Sequence, residues 1–563
     1  MMSGECKTLI GHIVDVKGDA LLAKVVDEQQ DCVPAVTIGD KDILVGQIGS
    51  YVSVVQGDTR LLALVSRMSE AEKLVPMEKG GGGEALMTTF AQRTLSLIPI
   101  GSFDGAGKFE RGVSVYPTTG AEVHAVSSED VNVIFSDFSA KGYSLGTLAS
   151  NPDLRVFLDP SSMFGRHFAI LGQTGAGKSW TVASVIQKAV KVMPKAHIIV
   201  LDLHGEYCWK DQNNEACYAF DSDVVRSIDA RELEMPYWLM TYAELCDLLI
   251  DHTEFTAHNQ VAFFRDTLRQ LREREMGPLG LSRVTVDTPV YFSIDELLAL
   301  IDAENNRKVQ GQRGPKNGPN YGVFDRFVTR LESRMNDVRY DFLLKPQVRT
   351  TSDSLAALLR DFVGLGEPKR QVTIVDLSSV PFDVRPTVAA QIGRLAFEFN
   401  YWNPEYRNFP LLLICEEAHN YIPRSSSAQF AGARKSMERI AKEGRKYGVG
   451  LGVVSQRPHE VSETVLAQCG TFLCLRITNP SDQNYVRNLV PEAERDLISI
   501  LAGLGRGESL ALGEAVPLPT RIKIDQPSPE PNSNDVDFHD KWITGPDDLD
   551  VDDIVEKWRK QER

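Results

Sequence analysis

Gly172-Gln173-Thr174-Gly175-Ala176-Gly177-Lys178-Ser179 has the form G-x-x-x-x-G-K-[ST], residue types and spacing that can hold the phosphates of a nucleotide. The three glycines let successive backbone N–H groups turn into one concavity. The positive end of a following helix dipole faces that concavity, and Lys178 supplies a full charge for the outer phosphates. Ser179 is left to hold Mg²⁺, and Trp180 opens the helix. This chemistry is nucleotide binding.

Hydrolysis needs two more groups: a carboxylate to orient the metal and a base to activate water. The apolar run Leu411-Leu412-Leu413-Ile414-Cys415 ends in Glu416-Glu417-Ala418-His419, which puts two acids at a strand's carboxyl edge. Glu416 is expected in the metal's coordination sphere and Glu417 as the catalytic base. Ser455-Gln456-Arg457-Pro458 ends the strand beside the acids, where Gln456 is the candidate γ-phosphate sensor. Ile198-Ile199-Val200-Leu201 runs into Asp202-Leu203-His204-Gly205-Glu206-Tyr207, so Asp202 and Glu206 are further metal candidates on the same edge. His204 by itself reads as a turn residue. Arginine supply bears on assembly, because the charge developing in phosphoryl transfer is neutralised by an arginine that often arrives from a neighbouring molecule. Arg439-Ile440-Ala441-Lys442-Glu443-Gly444-Arg445-Lys446 follows the acids, and Arg166 precedes the first strand.

The elements that must position these residues are strands alternating with helices, the pattern of a parallel sheet covered on both faces. The expected strands are 167–171, 198–201, 372–375, 411–415, 451–454 and 472–475. The fold class is α/β, a RecA-like P-loop core preceded by a small β-barrel. Residues 1–150 read as the barrel, with alternating segments at 11–16, 43–48 and 51–55. Gly80 to Gly83 is expected at a hairpin tip, and Gly105-Ala106-Gly107-Lys108, which lacks a strand and helix around it, in a turn. The core is expected over 151–240 and 366–525, split by a helical insertion at 241–365. That insertion carries capping boxes at Thr241/Glu244 and Ser293/Glu296, and a Gly, Asn, Lys and Arg-rich stretch from Asn305 to Gly322 expected as a mobile loop. After Asp525 the run Gln526-Pro527-Ser528-Pro529-Glu530-Pro531 is expected to end the fold, leaving an acidic tail over 526–563.

The whole chain has 563 residues, enough for about three domains, and a formal net charge of −16. That sign excludes a protein that wraps nucleic acid with its whole surface; a nucleic-acid partner must be met by a local basic surface. The eight cysteines show no metal-binding spacing and read as reduced thiols. With no secretory signal at the N-terminus and no apolar run of membrane-spanning length, the expectation is a soluble cytoplasmic protein with no membrane partner.

Together G-Q-T-G-A-G-K-S at 172–179, D-L-H-G-E-Y at 202–207, E-E-A-H-N-Y-I-P at 416–423, R-I-A-K-E-G-R-K-Y-G at 439–448 and S-Q-R-P at 455–458 resemble the HerA family, hexameric ATP-driven DNA translocases related to the FtsK motors. Leu203 stands where the family usually has proline, a departure that touches no catalytic group. The resemblance implies a homo-hexameric ring using ATP and Mg²⁺ to pump double-stranded DNA, beside a separate nuclease or NAD-consuming effector in end processing or anti-phage defence. By position, Arg445 and Arg166 correspond to the family's inter-subunit and phosphate-contacting arginines, with Arg439 as the fallback. An ATP-gated scaffold that activates an effector with little translocation is the alternative. An ABC-type ATPase is disfavoured because no LSGGQ-like signature occurs.

Overall fold

In this computed structural model residues 8–560 are described, apart from 19, 27–34, 39–40, 45–46, 58, 77–86, 106, 212, 214, 251–256, 312–313, 383, 426–430, 534–535 and 547. Near the N-terminus, strand Leu21–Val25 buries Leu21, Ala23 and Val25 and turns Lys24 outward, the alternation of a one-sided strand. It pairs on one side with Leu9–Val16 and on the other with Met87–Phe103. Glu122–Ala125, Tyr51–Gln56 and Thr59–Pro76 complete an antiparallel ring of six strands, closed so that no edge is left. Strand Thr59–Pro76 is apolar on both faces: Leu61, Ala63 and Val65 fill the barrel while Leu62 and Leu64 join the core of the large domain. The four-glycine tract lies outside the described residues. Gly105 to Lys108 is a tight turn, with the Gly107 N–H donating to the Asp104 carbonyl and the Lys108 N–H to its side chain.

The large domain is built on eleven strands: β1 (Ser144–Leu148), β2 (Asn151–Phe157), β3 (Phe168–Leu171), β4 (Ile198–Asp202), β5 (Val225–Asp229), β6 (Val372–Asp376), β7 (Leu411–Cys415), β8 (Val449–Ser455), β9 (Thr471–Cys474), β10 (Glu508–Gly513) and β11 (Thr520–Ile524). Their order is β2-β1-β11-β10-β9-β3-β8-β7-β4-β6-β5. From β9 to β5 every pairing is parallel, and all four residues of β3, all five of β7 and all seven of β8 are buried. Such strands read as continuous apolar runs because helices cover both faces. With β8 lying between β3 and β7, the sheet has the RecA-like order. The wing β10-β11-β1-β2 is antiparallel, and sequence pattern alone missed it. It also corrects the boundary at 150, which falls inside the β1–β2 hairpin; β1 pairs with β11, so residues from 144 belong to the ATPase sheet.

The main helices are α1 (Lys178–Val192), α2 (Ala257–Glu273), α3 (Ile294–Asn305), α4 (Asp325–Met335), α5 (Arg385–Trp402), α6 (Ala431–Glu443), α7 (Phe538–Thr544) and α8 (Val551–Lys560). The insertion is bolted to the core through buried guanidinium groups. Arg272 donates to the carbonyls of Trp238, Met240 and Thr288, and Arg394 pairs with Glu244 at 3.0 Å while donating to Leu239. The capping box at Thr241 forms in both directions, whereas Glu296 is drawn away by Arg274 and the Ser293 box keeps only its forward bond. Two further expectations are corrected. Asn305 to Gly322 is not a loop throughout: Lys308–Gly311 pairs with Gly314–Asn317 as a hairpin. Nor does the fold end at Asp525. The Gln187 side chain holds Ser528 N–H and the Pro529 carbonyl, and the Asn532 N–H donates to the Glu206 carbonyl at 2.8 Å. Beyond this, α7 and α8 bury no residue.

Candidate nucleotide site

Parallel strands deliver their carboxyl ends to one edge, and there Leu171 of β3 leads into the phosphate loop. Gly175 and Gly177 stand at φ +75° and +100°, left-handed conformations that favour glycine, and Gly177 caps α1. The loop is pinned at its start by the Gln173 N–H, which donates to the Arg476 carbonyl, and by the Gln173 side-chain oxygen, which accepts from Thr478. Among the described residues the N–H groups of Gly175, Gly177 and Lys178 find no protein acceptor, and they fit an anion held at the helix N-terminus. Lys178 is buried, with its Nζ 3.3 Å from the Gln173 carbonyl, and Ser179 is half-buried beside it.

Glu417 follows β7 in a left-handed conformation at φ 45°, unusual for a residue with a Cβ and a sign of local strain. It is only 9% exposed, and its Oε2 makes no hydrogen bond, although His419 Nδ1 lies 3.3 Å away. Burial raises the Glu417 carboxyl above its ordinary range, and the charges of Lys178 and His204 pull it back. A buried carboxylate with raised basicity and one oxygen that makes no hydrogen bond fits a proton acceptor for bound water. Gln456, at the tip of β8, accepts a hydrogen bond from the Thr174 hydroxyl, so loop and candidate sensor are already linked. Glu416 is buried and accepts from the Tyr207 hydroxyl; burial pushes it up to about 8, and the nearby carboxylates of Glu206, Glu417 and Asp202 add to the rise. A cation would reverse that rise. The Ser179 hydroxyl and Glu416 fit a hard ion of the Mg²⁺ kind, whose other ligands come from phosphate and water, and no cluster of three His, Cys, Asp or Glu ligands occurs among the described residues.

Two sequence assignments change. Asp202 is not free to bind metal: its Oδ1 accepts the N–H groups of His204, Gly205 and Glu206, and its Oδ2 accepts that of Tyr207. It staples the turn that brings Tyr207 to Glu416, and burial raises its carboxyl to about 7. The Glu206 carboxylate lies close enough to Glu416 and Glu417 for its charge to raise both. Arg166 precedes β3 and pairs with Glu514, so it sits at the edge opposite the phosphate loop and touches no phosphate position of its own chain. Arg439 on α6 stacks over Phe397 at 4.2 Å. Arg445 lies just before β8, whose seven residues span roughly 23 Å at about 3.3 Å each, beyond the reach of a side chain from its own Glu417. Arg445 is exposed, makes no hydrogen bond or ion pair among the described residues, and borders an apolar groove of about 680 Å³.

A cavity of about 360 Å³ adjoins the phosphate loop between Trp180, Arg506, Lys523, Gln526 and Pro527. The Arg506 guanidinium lies 5.7 Å from the Trp180 ring, and Trp180 Nε1 is buried without a hydrogen-bond partner. These residues sit where a nucleoside would follow its phosphates. Sequence reading missed all but Trp180, because more than three hundred positions separate them from the loop and the only local signal, the proline run, reads as an ending. Tyr207 was visible as part of a motif, but its bond to Glu416 was not.

The family pattern described as Helicase HerA, central domain, matches residues 143–396. The chain is 28% identical over 470 residues to the DNA double-strand break repair helicase HerA of Pyrococcus furiosus, covering 79% of this chain and 78% of that one. It is 27% identical over 465 residues to the protein of the same name from Sulfolobus acidocaldarius, covering 80% and 82%. Among solved structures, VirB4 of Thermoanaerobacter pseudethanolicus overlaps with a TM-score of 0.44 at 19% identity, covering 68% of this chain and 96% of that one. With the phosphate loop, paired acids and RecA-like strand order in place, the chain is similar to HerA helicases over most of its length.

Proposed function

We propose that this chain is an ATP-hydrolysing ring motor, a homo-hexamer that translocates on or unwinds double-stranded DNA and works beside a separate nuclease or NAD-consuming effector. The observation that carries the ring is the opposition of Glu417 and Arg445 on two edges of one sheet: a site needing both must borrow the arginine from a second subunit. DNA as the substrate rests on the names of the relatives, which are helicases of double-strand break repair. Anti-phage defence remains the other setting for the same machine.

Lys178 and the loop N–H groups hold the phosphates of ATP, and the cavity at Trp180 takes the nucleoside. Ser179 and Glu416 would hold Mg²⁺, which would supply positive charge to the phosphates. Glu417 accepts the proton of the attacking water, its basicity raised by burial, while Gln456 registers the γ-phosphate and relays it to Thr174. Arg445 of a neighbouring subunit meets the charge that develops on the transferred phosphoryl group. ATP turnover should rise severalfold or more with duplex DNA and vanish in Lys178→Ala. Turnover indifferent to DNA, in rings verified by mass, would replace the motor with an ATP-gated scaffold.

A further inference from the structure

The hairpin Lys308–Gly311/Gly314–Asn317 takes no part in the nucleotide site, and its two strands pair only with each other. In a chain of net charge −16, residues 305–324 hold Arg307, Lys308, Arg313 and Lys316 and no acid. Several cations elsewhere in the insertion are tied down: Arg330 donates to Leu249, Arg334 to Leu248, and Arg272 to three carbonyls. Lys308 and Lys316 are exposed and, among the described residues, make no ion pair. The register Lys308↔Asn317 and Val309↔Lys316 puts them on opposite faces of the ribbon.

An isolated two-stranded hairpin is marginal in water, yet this one is clamped at its base. Buried Asn305 accepts the Phe324 N–H at 2.7 Å and donates to Asp325 at 2.7 Å. Asn320 donates to Glu304 at 2.9 Å, and the Gly318 N–H closes on the Arg307 carbonyl. The arm is therefore held in position before any ligand arrives, which reduces the ordering cost of binding. Its two strands expose lysine, glutamine, asparagine and proline, with half-buried Val309 the one large aliphatic side chain and no aromatic among them, a poor centre for a protein interface. We infer that this hairpin is a DNA-contacting arm of the insertion, its two lysine-bearing faces meeting the phosphate strands on either side of a duplex groove, independent of base sequence. A two-stranded ribbon fits the major groove. Resting on the DNA-motor reading, the arm supplies a local basic surface that an acidic chain needs.

The test is titration of the full-length protein against a fluorescent duplex between about 50 and 200 mM salt, for the unsubstituted chain and Lys308→Ala/Lys316→Ala. Loss of two phosphate contacts should make the log–log salt slope shallower by roughly 2, with affinity lowered alike for unrelated sequences. ATP turnover without DNA should be unchanged, which also reports that the variant is folded. Lys308→Glu/Lys316→Glu should weaken binding further. An unchanged slope in variants that still turn over ATP overturns the arm and leaves the motor standing, as does selective loss of a protein partner with DNA binding intact. No duplex binding by the unsubstituted chain overturns both.

Discussion

Glu417 combines three features that rarely coincide in one carboxylate: a left-handed backbone, burial, and an oxygen without a hydrogen bond. Each costs stability, and a folded protein keeps such a group where its chemistry is used. Glu417→Gln keeps shape and removes basicity, so nucleotide binding should persist while turnover falls about 10²–10⁴-fold, measured by binding titration and single-turnover hydrolysis. Wild-type turnover would remove Glu417 from its role. His167 gives a pH signature of the fold. Its Nδ1 accepts from the Leu451 N–H at 3.0 Å and its Nε2 meets the Ala441 carbonyl at 3.2 Å, tying β3 to β8 and α6. Burial lowers the ring to about 4, opposed weakly by the Ala441 carbonyl. Because the folded value lies below the unfolded one, the unfolded chain binds the proton more readily. The neutral ring's contribution is therefore complete above about pH 6.5 and lost as pH falls toward 4, on the order of 3 kcal/mol in all. Melting temperature followed from pH 7 to 4 should decline less steeply in His167→Gln than in the unsubstituted chain.

Elements carry the site through edges. The parallel strands place loop, acids and sensor together, and the antiparallel wing brings β11 and the chain after it against α1, where Lys523, Gln526 and Pro527 wall the nucleoside cavity. The C-terminal region thus has two parts with different tasks. Deleting 533–563 removes α7 and α8, where Trp542 is 82% and Trp558 72% exposed, and should alter thermal stability by no more than about 0.5 kcal/mol. Deleting from Gln526 also removes the bonds to Gln187 and Glu206 and one wall of the cavity, so ATP affinity should fall about tenfold or more. Equal nucleotide affinity in both truncations, by fluorescent-nucleotide titration, would take the 526–532 segment out of the site. The exposed aromatics of α7 and α8 are suited to docking against another chain.

At the scale of the whole molecule, the proposed ring turns on Arg445, which lies at the sheet edge away from its own Glu417. Arg445→Ala should bind ATP nearly normally and assemble, yet lose about 10³–10⁵ in rate. Mixed with Glu417→Gln under subunit exchange, it should regain hydrolysis wherever an intact Glu417 faces an intact Arg445. No recovery in verified mixed rings would exclude Arg445, leaving Arg439 or Arg166 as donor. Arg439 is already engaged by Phe397 and by Glu398 at 3.9 Å, so its removal should disturb packing of α5 and α6 as well as turnover. Such sharing couples hydrolysis to the relative position of two subunits, which is what a ring that moves along a polymer requires.

The phosphate loop, the strand-end positions of the two acids and Gln456, and six of the seven parallel strands were legible in the amino-acid sequence, because each is a local pattern: glycines at fixed spacing, or an apolar run ending in polar residues; Val225–Asp229 was not. Local patterns carry no information on what a side chain meets across the fold. Asp202 resembles a metal ligand until four backbone N–H groups are found on its carboxylate, and nothing local to Arg166 tells that it meets Glu514. The nucleoside cavity joins Trp180 to residues beyond 500, and the hairpin at 308–317 exists because Asn305 and Asn320 hold its base. Short motifs fixed the chemistry available to this chain; long-range pairing of strands and buried hydrogen bonds decided which residues share a site, since those contacts join positions hundreds of residues apart.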